Sequence, residues 1–203
     1  MASREMIKFR EQRFLFPVKG FTIIEVLVAI SIGLVVILLS YLVYDVTLRF
    51  TAIENRKIEL AQNGRVALDR MTRDFRQAQE LVTVLPPVPD DPDNPPAEEL
   101  TFQDGHNLEP IAYIRYYLLE DNFYREAAHY AFTSAPDDWV PWSAVDEDGH
   151  TPDKTVDSND LVAEYIQNLI FWGEGRLAHI SFSALSGSER VDFLTSVCGR
   201  NLR

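Results

Sequence analysis

Residues 26–44 form an unbroken run without a charged side chain, interrupted only by Ser31, Gly33 and Ser40. Coiled as a helix, that run is roughly 28 Å long, close to the hydrocarbon thickness of a bilayer. The pattern predicts a membrane-length helix over residues 21–44. One residue breaks the rule near its start. Glu25 lies inside the stretch "VKGFTIIEVLVAISIGLVVILLSYLVY", and an ionisable group at the bilayer centre costs on the order of 2.5–3.5 kcal/mol on insertion scales.

Beyond Tyr44 the pattern changes without a break. Apolar residues recur at Leu60, Ala67, Leu68, Met71, Phe75, Ala78 and Val82, one stripe of an amphipathic helix. The other faces carry Glu54, Arg56, Lys57, Arg65, Asp69, Arg70, Arg73, Asp74 and Arg76, a solvated charged surface. Gly64 is the one glycine and no proline occurs before Pro86, so helix is expected over residues 45–84. "LPPVPDDPDNPPAEE", residues 85–99, then holds six prolines and five acids. It reads as an exposed, extended connection, with partner docking as the sharper alternative.

Residues 100–203 alternate in the manner of strands. "ELTFQDG" ends near Gly105–Asn107, and "IAYIRYYLLEDNFYRE" reads as a hairpin turning at Asp121 and Asn122. "AHYAF" suggests a further short strand, and residues 137–160 read as loop. Three strands separated by turns at 173–175 and 186–188 close the chain. Ile180, Phe182 and Ala184 alternate with serines in one of them, and Val191, Phe193, Thr195 and Val197 mark the next. The fold class expected is α+β, a long N-terminal helix laid on an antiparallel sheet.

Charge sharpens this division. Residues 1–20 carry Arg4, Lys8, Arg10, Arg13 and Lys19 against Glu5 and Glu11, while the whole chain is −12. Most of the acid lies after residue 80, with 7 basic residues against 22 acidic ones. A domain so acidic repels phosphate backbones, so no nucleic-acid partner is expected. The positive-inside rule places residues 1–20 in the cytoplasm and the C-terminal domain across the membrane. Cys198 is the single cysteine, which excludes an intrachain disulfide. A free cysteine is most often a small buried side chain.

A secretory signal should end its apolar core at a small-residue cleavage site, and "SYLVYDVTLRF" offers none. A plain anchor is compatible with the helix but gives no reason for Glu25. The basic leader ending in Gly20, then Phe21, Thr22, two aliphatic residues, Glu25 and the apolar helix together resemble the type IV prepilin signal of pilins and type II secretion pseudopilins. The resemblance implies cleavage between Gly20 and Phe21 by prepilin peptidase and N-methylation of Phe21. It implies that Glu25 is the assembly carboxylate, meeting the new amine of a neighbouring subunit, and that the fold is pilin-like. It further implies residence in the inner membrane, then pairing with other pilins or pseudopilins through the helix and contact with an inner-membrane assembly platform, with lipid as the partner before assembly. More loosely, "RVALDRMTRDFRQA" and the terminal "TSVCGRN" are similar to PilW-like minor pilins and J-type pseudopilins. The chain lacks the paired C-terminal cysteines and mid-helix proline of a major pilin, and retains the carboxylate that K-like tip pseudopilins typically lack.

Catalytic chemistry is not indicated. His106, His129, His150 and His179 lie without ligand spacing, and no G-x-S-x-G, P-loop or G-x-G-x-x-G occurs. "DEDGHTPDKTVD" clusters acids around Gly149 but fails EF-hand spacing. Trp139 and Trp142 are expected to pin a long loop. No enzyme activity, cofactor or metal is expected. The reading is a minor type IV pilin, with a J-like pseudopilin or a non-polymerising membrane-anchored binding protein as alternatives.

Overall fold

The computed structural model describes residues 20–106 and 110–202. The leader at 1–19 and position 107 of the expected turn lie outside the described residues. Among the described residues one helix, α1 (Ile23–Gln77), is followed by eight antiparallel strands, an α+β architecture of pilin-like type. The chain separates into two compact units, one ending at Arg49 and the other Phe50–Arg203.

In the first unit, hydrophobic side chains from Ile23 to Leu48 are exposed all round the helix. This is the composition of a helix long and apolar enough to cross a membrane. Its aliphatic hydroxyls are satisfied locally. Ser31 donates to the Leu27 carbonyl at 2.9 Å, Ser40 to Val36 at 2.8 Å and Thr47 to Val43 at 2.8 Å. Each hydrogen-bonds the carbonyl four residues back, which removes the cost of an unsatisfied hydroxyl in hydrocarbon.

In the second unit the amphipathic stripe does what its spacing predicts. Leu60, Gly64, Ala67, Met71 and Phe75 are buried. Two sheets receive them. The first joins β1 (Leu100–Gln103), β2 (Tyr113–Leu119), β3 (Asn122–Phe132) and β4 (Ala135–Trp139) in that order, with β5 (Asp153–Glu164) also on β3. The second is a meander of β6 (Ile166–Glu174), β7 (Leu177–Ser186) and β8 (Glu189–Cys198). The core runs from Phe75 edge-on to Phe102 at 5.6 Å, and on through Tyr116 and Phe123. Ile166, Phe171, Ile180 and Phe182 supply the side from the second sheet.

Four sequence expectations need correction. First, α1 ends at Gln77 rather than 84. Residues 79–83 instead run beside β1: Gln79 donates to the Gln103 carbonyl at 3.2 Å and Val82 to Thr101 at 2.9 Å. Val82 sits in phase with the helical stripe, but Val82, Thr83 and Val84 are β-branched and edge pairing captures them. Second, "AHYAF" is the distal end of β3, not a separate strand. Third, the loop expected over residues 137–160 shrinks to 140–152, because β4 runs to Trp139 and β5 pairs with β3 from Ala163 opposite Phe123 to Asp153 opposite Ala131. Fourth, the hairpin turns on Glu120 and Asp121, with Leu119 opposite Asn122, and Glu120 takes a left-handed φ of 57°.

The proline-rich connection is strapped down at both ends. Pro86 accepts the Gly173 N–H at 2.8 Å, and Ala97 exchanges two backbone bonds with Phe171 at 2.8 and 3.0 Å. Together these contacts cover the outer edge of β6.

Candidate functional site

The residues singled out by the sequence come together at the head of α1. Thr22 precedes the first helical residue, and Glu25 is the third residue of the helix. The Thr22 hydroxyl accepts the Glu25 N–H at 3.3 Å. Glu25 Oε2 accepts the Thr22 N–H at 2.8 Å and its hydroxyl at 3.0 Å. This reciprocal arrangement is a capping box, which satisfies helix-start donors that have no partner in the helix itself. It also sets the carboxylate against the positive end of the helix dipole.

Thr22 is the residue that sequence reasoning undervalued. The signal was present, since T-x-x-E ahead of an apolar run is the pattern for such a start. The box uses one carboxylate oxygen. Among the described residues, Glu25 Oε1 has no hydrogen-bond partner.

Phe21 is 85% exposed. Gly20 is exposed as well, and a Cβ placed on it would meet nothing within 4 Å. Its backbone does not require the left-handed region either. No packing or turn therefore calls for glycine at position 20, in contrast to Gly64, where a Cβ would collide with the Phe193 ring.

The other sequence candidates sit apart from this head. His106 Nδ1 lies 3.1 Å from Gln77 Oε1, and His179 Nδ1 lies 2.7 Å from Ser196 Oγ. His129 stacks on Trp139 at 4.0 Å and bonds Asp157 at 2.9 Å, so Trp139 does pin its segment to the sheet. Trp142 donates its backbone N–H to the Tyr113 hydroxyl at 3.1 Å. Asp146, Asp148 and His150 bring ligand atoms within 4.8 Å of one another. The His150 and Asp148 backbone N–H groups donate to Asp146 Oδ1 at 2.7 and 3.0 Å. The His150 contact is the main reason its carboxyl lies below the usual range. These bonds account for the shape of that turn. Cys198 is exposed rather than buried, because it falls on the outward phase of β8 next to buried Val197.

A capped carboxylate at the head of a lipid-length helix, continued by an amphipathic stripe on antiparallel sheets, defines a membrane-anchored subunit with a C-terminal globular domain. Residues 16–41 match the family model described as the prokaryotic N-terminal methylation motif. Over that segment the chain is type IV prepilin- or pseudopilin-like. No curated protein and no solved structure matches the chain.

Proposed function

We propose that this chain is a minor type IV pilin, a non-enzymatic filament subunit cleaved between Gly20 and Phe21, methylated on Phe21 and incorporated through Glu25. The observation that carries the reading is the carboxylate with one free oxygen heading a helix whose apolar surface is uncovered on every side. Lipid covers that surface before assembly, and other pilin helices cover it afterwards. Cleavage would create a cationic amine at Phe21. A cation and a carboxylate attract far more strongly in low dielectric than in water. Oε2 stays on the Thr22 cap, and Oε1 is left to receive the amine of a neighbouring subunit. The pair then registers each arriving helix within an otherwise non-specific apolar bundle.

Gly20 fits the same account. With no packing reason for a glycine there, the requirement comes from outside the fold, as a peptidase needing an unhindered backbone would impose. Residues 1–20 face the cytoplasm before processing, the domain lies across the inner membrane, and the assembly platform extracts the subunit. A J-like pseudopilin of type II secretion is the close second, since the helix-end segment is similar to both.

Intact-mass and N-terminal peptide spectrometry of the native protein tests the reading. The expected species starts at Phe21 and carries one methyl group. A retained leader would instead support a membrane-anchored binding protein that never polymerises. For the pairing itself, Glu25→Ala should be processed normally yet be depleted from sheared filaments, and unchanged incorporation would refute the role given to Glu25.

A further inference from the structure

The outward side of α1 in the second unit borders an open groove of about 590 Å³ lined by Arg65, Val66, Asp69, Arg70, Arg73 and Arg125, with Asp74 at its base. Three of its guanidinium groups are occupied. Arg70 meets Asp160 at 3.0 Å, Arg73 meets Asp69 at 2.5 Å, and Arg125 meets Asp74 at 2.7 Å. Arg65 has no ion-pair partner among the described residues. Beside it Val66 is 55% exposed, an apolar floor next to an unbalanced cation. The groove is therefore a positive, partly apolar hollow on a domain that is otherwise strongly acidic.

The matching surface is on the same chain. Asp90, Asp91 and Asp93 crowd one turn of the proline-rich connection, and none of them has an ion-pair partner among the described residues. Asp91 Oδ1 accepts the Asp93 N–H at 3.0 Å and its carbonyl accepts the Asn94 N–H at 3.3 Å, which folds the turn on itself. Its two ends are pinned to β6 through Pro86 and Ala97. Five prolines stiffen what lies between. Val88, just before the aspartates, is 49% exposed. An apolar residue beside unpaired carboxylates thus faces outward on a pre-organised knuckle, the chemical complement of Val66 beside Arg65. No ion pair joins groove and knuckle within one chain.

We propose that the Arg65–Arg73 groove of one copy receives the aspartate turn at residues 90–93 of a second copy of this chain. The two patches differ, so the contact is head-to-tail and joins one copy to the next without two-fold symmetry. Opposite charges steer the encounter and fix register, against the general repulsion of two chains that are each −12. The inference rests on the filament-subunit reading and adds a lateral contact outside the apolar helix.

Cysteine cross-linking of the full-length chain in detergent micelles tests it, in a Cys198→Ser background and with protein made in cells carrying a prepilin peptidase. A chain with Val66→Cys, which leaves Arg65 in place, mixed with a chain with Asp90→Cys should form disulfide dimers several-fold more abundantly than either alone. Ser188→Cys, on an exposed turn, serves as the control partner. Arg73→Glu on the groove chain should reduce the mixed dimer, and Asp93→Arg on the other should restore it. Raising salt from roughly 0.05 M to about 0.5 M should weaken it as screening shortens. A mixed yield no greater than the control, or charge reversal without effect, overturns the proposal. So does Val66→Cys pairing best with itself. The N-terminus is read by mass in the same sample. A processed, methylated Phe21 without mixed dimers sinks this contact alone, whereas a retained leader sinks the filament reading.

Discussion

The two halves of α1 share one backbone hydrogen-bond ladder and solve opposite problems. From Ile23 to Arg49 every large apolar side chain is exposed, and no residue is buried by the rest of the chain. From Phe50 onward a buried stripe emerges, with Leu60, Ala67, Met71 and Phe75 covered by the sheets. Polar groups divide the same way. In the first half, hydroxyls return to the helix's own carbonyls; in the second, Asp74 reaches across to the Tyr116 hydroxyl at 2.8 Å and Arg125 Nε at 2.7 Å. A helix that turns its serine and threonine hydroxyls inward and exposes apolar side chains all round is shaped for a solvent of lipid or other helices. One that offers side chains to named partners is shaped for its own domain.

Truncation should separate the halves most sharply. Phe75 is fully buried and meets Phe102 edge-to-face. Phe75→Ala removes that burial and leaves a cavity, so domain stability should fall by about 3–5 kcal/mol. Leu34→Ala, at a 57% exposed position of the first half, should leave the unfolding midpoint of the domain unchanged. Chemical denaturation of the full chain in detergent, followed by tryptophan fluorescence, reads both. Equal losses would mean that the apolar half is part of the domain core.

The two glycines of α1 offer a milder version. A Cβ on Gly33 meets nothing within 4 Å, while a Cβ on Gly64 runs into the Phe193 ring. Gly64→Ala gains roughly 1 kcal/mol of helix propensity but forces the ring aside, and overpacking of this kind costs typically about 1–3 kcal/mol. A net loss is expected, recovered when Phe193→Leu opens the space. Gly33→Ala should leave domain stability alone. A stabilising Gly64→Ala would show that the β8–helix contact gives way without cost.

What could be read from the sequence follows the same division. The membrane-length helix was legible because an uncharged run of that length has few other uses. The buried stripe was legible because 3.6-residue spacing survives single exceptions. β7 and β8 were legible because one face is covered and the other is not. β5 was not, since "DKTVDSNDLVAE" is polar on both faces and only Ala163 is buried. Its strand character comes from β3, whose partner is decided in three dimensions. The end of α1 failed for a related reason: Val82 keeps helical phase, yet the open edge of β1 takes the chain at residue 79. At the site, Glu25 stood out as the one charge in an apolar run, whereas Gly20 and Phe21 were marked through the resemblance to the type IV prepilin signal. The Thr22 cap was also written there, but the membrane cost of the carboxylate drew attention away from its local partner.

The smallest effect tests the polar side of the comparison. Tyr116 is buried, donates its hydroxyl to Asp74, and lies near the Arg125 guanidinium. Burial, together with the Asp74 charge and hydrogen bond, holds its phenol above the ordinary value of 10.0. In the unfolded chain the phenol titrates near that ordinary value, so above about pH 10 the unfolded state loses a proton that the folded state keeps. Stability conferred by the protonated phenol is therefore complete below pH 10 and declines as pH rises through the folded value. The slope approaches about 1.4 kcal/mol per pH unit for this one group. Tyr113 also titrates high through burial and adds to the fall. Denaturation midpoints between roughly pH 9 and 11 should drop for the native chain and drop less steeply for Tyr116→Phe. Identical slopes would mean that the Asp74–Tyr116 bond is open to solvent and adds nothing to the hold of the second half of α1.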